Sequence, residues 1–394
     1  MIKKEINKIT ILLFAASCLL TACKKDKDKK PSQQEVIEPV NDPMLFGQTQ
    51  VTDSYYVVTK WQAGTRDTSI VSYRHSGLIV TGFYERAVVS PGGIARGIDF
   101  YGNEVKDGKG SRLCQFLQVS KPFAESTGRD LDPRYVEWSQ GSTTYNGDTY
   151  IIALGTVPGQ RARSYYYKVS GADGKPTYHP LAQTPNGNGY AWYCGTSKGL
   201  FVSKSLSPDT KTTFLEVFRE DKWIQDYKLQ IPGYIYIDVE NVFAKDEDNL
   251  IAIVACKKEG TPVTGLFYFV INTVSHTVTR YQAELPEVNF HINQGAYAKN
   301  TVYLPYYENS SNKCAYVTLK INSNTGKLET EKFDLPVKSG VTYGSATMLN
   351  TKGNNVYISG EQGGLACYWK NQKMEKLENK EARRSFITKI AVFD

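Results

Sequence analysis

A short apolar stretch, introduced by a glycine, aspartate or asparagine, recurs through this chain every 50 to 54 residues. The stretches open at Gly97-Ile98, Asp148-Thr149, Gly199-Leu200, Asn249-Leu250, Asn300-Thr301-Val302 and Asn355-Val356. A fixed period of this size marks one supersecondary unit repeated, because a single unit cannot bury its apolar face alone. The content of the period repeats as well. Thr301-Val302-Tyr303-Leu304 is followed by a polar turn, then Cys314-Ala315-Tyr316-Val317, then a second turn at Asn324-Thr325-Gly326. Val356-Tyr357-Ile358 and Ala366-Cys367-Tyr368-Trp369 follow the same plan one period later. Counting the strand between units, such as 291–298 or 341–349, each period holds four strands, which is the blade of a β-propeller.

Six such anchors and an N-terminal unit at 54–60 predict an all-β fold, a seven-bladed β-propeller of four-stranded blades. The N-terminal unit offers outer strands at 55–60, 69–73 and 78–81 but no clear innermost strand. The chain ends on an apolar run, 386–392, that reads as an innermost strand with nothing after it. The C-terminal strand is therefore expected to complete the first blade and close the ring, which removes exposed sheet edges. Two tandem β-sandwiches would not explain the period. The wealth of Tyr (27) and Gly (32) beside only four Met agrees with strands and turns.

Ahead of the repeats, Lys3, Lys4 and Lys8 precede an apolar run at 9–20, too short to span a membrane and of the length of a signal-peptide core. It closes on Leu20-Thr21-Ala22-Cys23, which resembles the lipobox of bacterial lipoproteins. The resemblance implies cleavage before Cys23 and lipidation of that residue. Residues 1–22 are then a signal peptide, 23–45 a polar lipidated tether with too little apolar surface to order itself, and 46–394 the propeller. The net charge of +7 is a mild bias toward anionic partners, not a nucleic-acid signature.

Five cysteines remain in the propeller region: Cys114, Cys194, Cys256, Cys314 and Cys367. An odd number cannot pair completely, and each sits in an apolar strand, so they read as buried free thiols. No pair has metal-ligand spacing. The sequence shows no nucleophile elbow, zinc-protease helix or phosphate loop, so no catalytic residue, metal site or cofactor is assigned. His179 and His276 read as solvated loop residues.

Topology is more informative. In a four-stranded blade, one face collects the loops between second and third strands and the segments that lead into each innermost strand. The former are basic here, with Arg66, Arg161, Arg163, Lys257 and Lys258; the latter carry Trp192, Tyr236, His291, Tyr343, Arg383 and Arg384. Arg66, Arg161, Arg163, Trp192, Tyr236, His291, Tyr343, Arg383 and Arg384 are the candidate ligand-binding residues. Cations among flat π surfaces suit an anionic ligand with ring character.

The lipobox, and the Ala366-Cys367-Tyr368-Trp369-Lys370-Asn371 segment with the terminal innermost strand, resemble outer-membrane propeller lipoproteins. That resemblance implies partnership with a TonB-dependent transporter and capture of a ferric siderophore or a glycan. It transfers no functional residue. The expectation is a protein held at the outer membrane by its lipid, on the surface or periplasmic face, capturing a small anionic ligand such as a ferric catecholate siderophore. A glycan-binding module is the alternative. A propeller lyase or hydrolase is the second, since catalytic groups drawn from different blades would show no sequence spacing.

Overall fold

The computed structural model describes residues 43–391 except 53–54, 63–64, 75–79, 91–92, 107–108, 119–135, 146–147, 157–162, 170–175, 182–190, 310–312, 342–343, 376 and 380–381. Cys23, the signal peptide, most of the tether, Arg161 and Tyr343 lie outside the described residues, as do the side chains of Arg66, Cys114 and Arg163.

Among the described residues there is no helix, and the strands form seven antiparallel sheets taken in chain order. The first contains β1 (Met44–Thr52), β2 (Tyr55–Gln62) and β3 (Thr65–Arg74). The second contains β4 (Val80–Ser90), β5 (Gly93–Lys106) and β6 (Lys109–Gln118). The third runs β7 (Val136–Tyr145), β8 (Asp148–Thr156), β9 (Arg163–Val169) and β10 (Pro176–Pro180). The fourth runs β11 (Ala191–Thr196), β12 (Gly199–Leu206), β13 (Thr212–Arg219) and β14 (Lys222–Gln230). The fifth runs β15 (Tyr234–Ala244), β16 (Asn249–Lys258), β17 (Thr264–Asn272) and β18 (Val278–Gln282). The sixth holds β19 (Phe290–Ile292), β20 (Ala296–Ala298), β21 (Thr301–Glu308), β22 (Lys313–Ile321) and β23 (Leu328–Asp334). The seventh holds β24 (Gly344–Lys352), β25 (Asn355–Gln362), β26 (Leu365–Lys370) and β27 (Lys373–Glu375). The last strand, β28 (Arg384–Ala391), returns to the first sheet and pairs with β1, from Met44 opposite Ala391 to Gln50 opposite Arg384. Successive four-stranded meanders of this kind are the architecture of a β-propeller.

The recurring anchors fall on the second strand of each unit, at the start of β8, β12, β16, β21 and β25 and within β5. Second and third strands are covered by a neighbouring sheet on either face. β16 and β17 accordingly read as continuous apolar runs, buried along almost their whole length. The outermost β18 is polar and exposed. Each described core cluster joins two consecutive sheets. Leu215, Val217, Leu250 and Val254 pack the fourth on the fifth. Ile253, Tyr268, Leu304 and Val317 pack the fifth on the sixth, and Leu45, Trp61, Tyr357 and Ile387 pack the seventh on the first.

Three expectations are corrected. The first sheet has a strand, β1, that the repeat did not reveal; β28 lies inside it, giving the order β28-β1-β2-β3. Residues 80–81 belong to β4, which opens the second sheet rather than ending the first. The expected strand 291–298 is broken into β19 and β20, both paired to β21. At the break, the Asn293 N–H still donates to Pro305 O of β21 at 3.3 Å, while its side chain and Gln294 O reach the seventh sheet. The Asn293 amide donates to Ala346 O at 2.8 Å, and Gln294 O accepts from Leu349 N at 3.1 Å.

The β1–β28 pairing depends on one absent side chain. A Cβ on Gly47 would collide with the backbone carbonyl of Phe386, at a register shift between Phe46 and Gly47. Gly47→Ala is expected to cost about 1–3 kcal/mol through this backbone clash and to lower the thermal midpoint by several degrees. An unchanged melting curve would show that β28 is not held against β1 at this point.

Candidate functional site

In each antiparallel meander the innermost strand begins at one end of its sheet, the leading end, and the second strand pairs back from the other, the trailing end. The candidate residues divide between these ends. Trp192 on β11, Tyr236 on β15, His291 on β19 and Arg384 on β28 occupy innermost strands, with Arg383 just before β28. Arg163 begins β9, after the second-to-third connection, as expected. Arg66 does not share that place. With β28 innermost, it sits at the start of β3, beside the turn between third and fourth strands, and so at the trailing end of its sheet.

Tyr236 is exposed, at 52%. Its backbone has φ of +53°, and its N–H donates to Thr210 O at 2.6 Å. The register with β16 slips between Ile235 and Asp238, which accommodates the left-handed residue. A non-glycine residue held at positive φ stores strain that its surroundings must offset. Lys257, the neighbour of Ile235 across the ladder, places Nζ 5.9 Å from the Tyr236 ring centre. Arg383 and Arg384 are exposed, and the Arg383 N–H donates to Gln50 O at 2.9 Å. His291 is exposed opposite Tyr307, between buried Phe290 and Ile292. Trp192 differs: it is half-buried against the core between the fourth and fifth sheets, and its indole N–H donates to Glu240 O at 3.3 Å. Its ring is a strut between sheets.

Sequence reasoning missed two carboxylates beside this set. Along β15, Ile237 and Val239 turn into the core, Tyr236 and Asp238 are exposed, and Glu240 is half-buried. Burial raises the Glu240 carboxyl to about 7, with the Asp238 charge adding to the effect. Asp238 is raised by burial too, although exposed at its surface, because the protein wall behind it solvates charge poorly. The alternation in Tyr234-Ile235-Tyr236-Ile237-Asp238-Val239-Glu240 was the available signal.

At the trailing end lies a cavity of about 810 Å³. It is bounded by the last residues of innermost strands from six sheets, among them Tyr145, Tyr193, Val242, Tyr297, Met348 and Ile390. Among the described residues, Trp192, Tyr236, His291, Arg383 and Arg384 do not line it.

Cys194, Cys256, Cys314 and Cys367 are free and buried, as the sequence implies. Burial pushes the thiols of Cys194 and Cys256 up to about 12 and that of Cys314 to about 11. His179 is not in a loop: it lies on β10, its ring stacked on Tyr166 at 4.7 Å. His276 does occupy a turn, with φ of +56°, and its Nδ1 is 3.2 Å from the Tyr227 hydroxyl. Among the described residues no group of three His, Cys, Asp or Glu could hold a metal ion.

No family model matches the sequence, and no curated protein matches it. Among solved structures, the polysaccharide lyase Uly1 is similar over 91% of this chain and 91% of its own, at 10% identity and a TM-score of 0.47. A prolyl endopeptidase is similar over 86% of this chain at 14% identity and a TM-score of 0.42; the chain spans about half of it, 49%. The Aleuria aurantia lectin is similar over 79% of this chain and 95% of its own, at 10% identity and a TM-score of 0.38. Likenesses this distant carry no activity and no site residue to this chain.

The Glu240 carboxyl yields a pH prediction. Its folded pKa lies above its unfolded one, so the folded state binds more protons and stability falls as pH rises from about 5 through 7. The loss from this group is of the order of 3 kcal/mol at most. In denaturant titrations, Glu240→Gln should remove that decline and exceed wild type in stability at pH 8. Parallel wild-type and variant profiles would refute the raised carboxyl.

Proposed function

We propose that this chain is a lipid-anchored, seven-bladed β-propeller, closed by its C-terminal strand, that captures a small anionic ligand with aromatic character at its leading end. The observation that carries the reading is the exposed Tyr236 ring with the Lys257 ammonium near it, at the end where Arg383 and Arg384 are also exposed. An aromatic face beside point charges and guanidinium groups offers stacking and charge together. A ferric catecholate siderophore, whose aromatic rings surround a net negative charge, has the complementary chemistry. Seven consecutive sheets, and the return of β28 to β1, support the closed ring. The lipobox-like Leu20-Thr21-Ala22-Cys23 supports anchoring at the outer membrane, and a TonB-dependent transporter would be the partner that receives the ligand.

A specific observation favours a glycan as the second reading. Asp238 and Glu240, which follow Tyr236 along β15, accept hydroxyl donors well and oppose a multiply charged anion. A sugar ring stacked on Tyr236 would meet both carboxylates without that penalty.

Two measurements decide. Titration with a ferric catecholate siderophore, followed by Tyr and Trp fluorescence, should show saturable quenching that weakens as salt rises. Tyr236→Ala and Lys257→Gln should each reduce affinity about tenfold. Binding of neutral oligosaccharide instead, insensitive to salt and still lost in Tyr236→Ala, would replace the siderophore by the glycan. Separately, mass spectrometry of the membrane fraction should find Cys23 acylated, and Cys23→Ser should release the protein. An unmodified Cys23 would remove the anchor from the reading.

A further inference from the structure

The charges at the leading end of the fifth sheet are of two kinds. Lys211 and Glu259 hold each other at 3.0 Å, and Lys258 and Glu287 at 3.2 Å, so each of these charges is matched where it stands. Lys257, Asp238 and Glu240 differ. Among the described residues, no ion pair or side-chain hydrogen bond holds any of the three, and Lys257 meets the Tyr236 ring instead. Glu240 is nevertheless fixed in place. The Trp192 indole N–H donates to its carbonyl at 3.3 Å, and the amide of the next residue, Asn241, donates to Asn293 O at 3.1 Å. The backbone is thus tied to the fourth and sixth sheets, and the Glu240 side chain stays half-buried.

The ionisable groups turned toward β15 from the elements around it are few. They are Cys194 on β11, Arg219 on β13, Cys256 and Lys257 on β16, and His291 on β19. The two thiols are neutral, and Arg219 is held by Glu247 O at 2.8 Å at the trailing end. Lys204 and Glu216 alternate in register with Val202 and Phe218, on the face packed against the third sheet. The charge that acts on the Glu240 carboxyl is that of Asp238. Asp238 and Glu240 follow Tyr236 at about 7 and 13 Å along an extended strand. An anion that sits on the Tyr236 ring and reaches back along β15 comes within about one Debye length, roughly 10 Å, of both carboxylates. Two ionised carboxylates outweigh the one Lys257 ammonium. With Glu240 protonated, one negative charge stands against one positive.

We propose that the leading end captures its anion together with a proton, which a Glu240 carboxylate oxygen takes up as the ligand settles. The inference rests on the reading of this end as an anion site. The proton comes from the surrounding buffer and returns to it when the ligand leaves, and no bond to the ligand is made or broken. Burial holds the Glu240 carboxyl at about 7 in the free protein, and a bound anion pushes it higher. The complex therefore holds more protons than the free protein near neutrality, and affinity rises as pH falls from about 8 to 6.

The test is calorimetric titration of the chain with a ferric catecholate siderophore at pH 6, 7 and 8, each in two buffers of different ionisation heat so that protons are counted. Wild type should bind about fivefold more tightly at pH 6 than at pH 8 and take up about half a proton between pH 7 and 8. Glu240→Gln should match wild type at pH 6, exceed it about fivefold at pH 8 and lack that half proton. Protons exchanged by the ligand itself appear in both proteins, so the difference between them reports Glu240. Asp238→Asn gives a second reading should Glu240→Gln fail to fold: with the neighbouring charge gone, the fall in affinity should move to lower pH. Equal pH dependence and proton uptake in wild type and Glu240→Gln, or an unmoved fall in Asp238→Asn, would overturn the inference and leave the anion site standing. No siderophore binding at any of the three pH values would overturn both.

Discussion

Consecutive sheets share no continuous ladder among the described strands. Beside single backbone contacts, such as Leu349 N–H to Gln294 O and Tyr236 N–H to Thr210 O, side chains make the connection from one innermost strand to the next. The indole of Trp192 and the thiol of Cys194 donate to the carbonyls of Glu240 and Val242. The amide of Asn241 donates to Asn293 O, that of Asn293 to Ala346 O, and that of Asn350 to Ile390 O. Each link runs from one innermost segment to the next and gives a main-chain carbonyl a side-chain donor. The apolar cores between sheets supply most of the burial energy, but burial is non-directional. It is this belt that sets how far one sheet slides against another, and hence which residues reach either mouth.

The belt also explains the period. Positions about 50 residues apart are the ones that touch, as in Lys198 with Asp248, Lys211 with Glu259 and Tyr227 with His276. A repeat in sequence is thus a contact in space. This made the architecture readable, because second strands buried on both faces carry unbroken apolar runs at that spacing. It failed in the first two sheets. β1 carries Gly47, Gln48 and Gln50 among its apolar residues and lost the pattern, and β4 was split between units for want of a turn signal.

The site was less legible than the fold, for a reason of parity. Whether a residue sits at the leading or the trailing end depends on its strand's place in the sheet. Inserting β1 ahead of β2 therefore moved Arg66 from one end to the other. Trp192 was read as a free surface because composition cannot tell a stacking platform from a strut. Asp238 and Glu240 were overlooked because their meaning rests on a two-residue alternation within an otherwise apolar strand.

The pairing of β28 with β1 has a consequence in time. The Trp61 indole donates to Glu378 O across 317 residues of sequence, and Leu45 and Trp61 pack on Ile387 and Ile390. Those partners are made more than 300 residues later. While the chain is being synthesised, β1 and β2 lack their inner neighbour, and their apolar face stays uncovered until β28 arrives. Contacts of this span are slow to form and leave the unfinished state prone to association. Of the described strands, those made first are consequently the ones that wait longest for shelter.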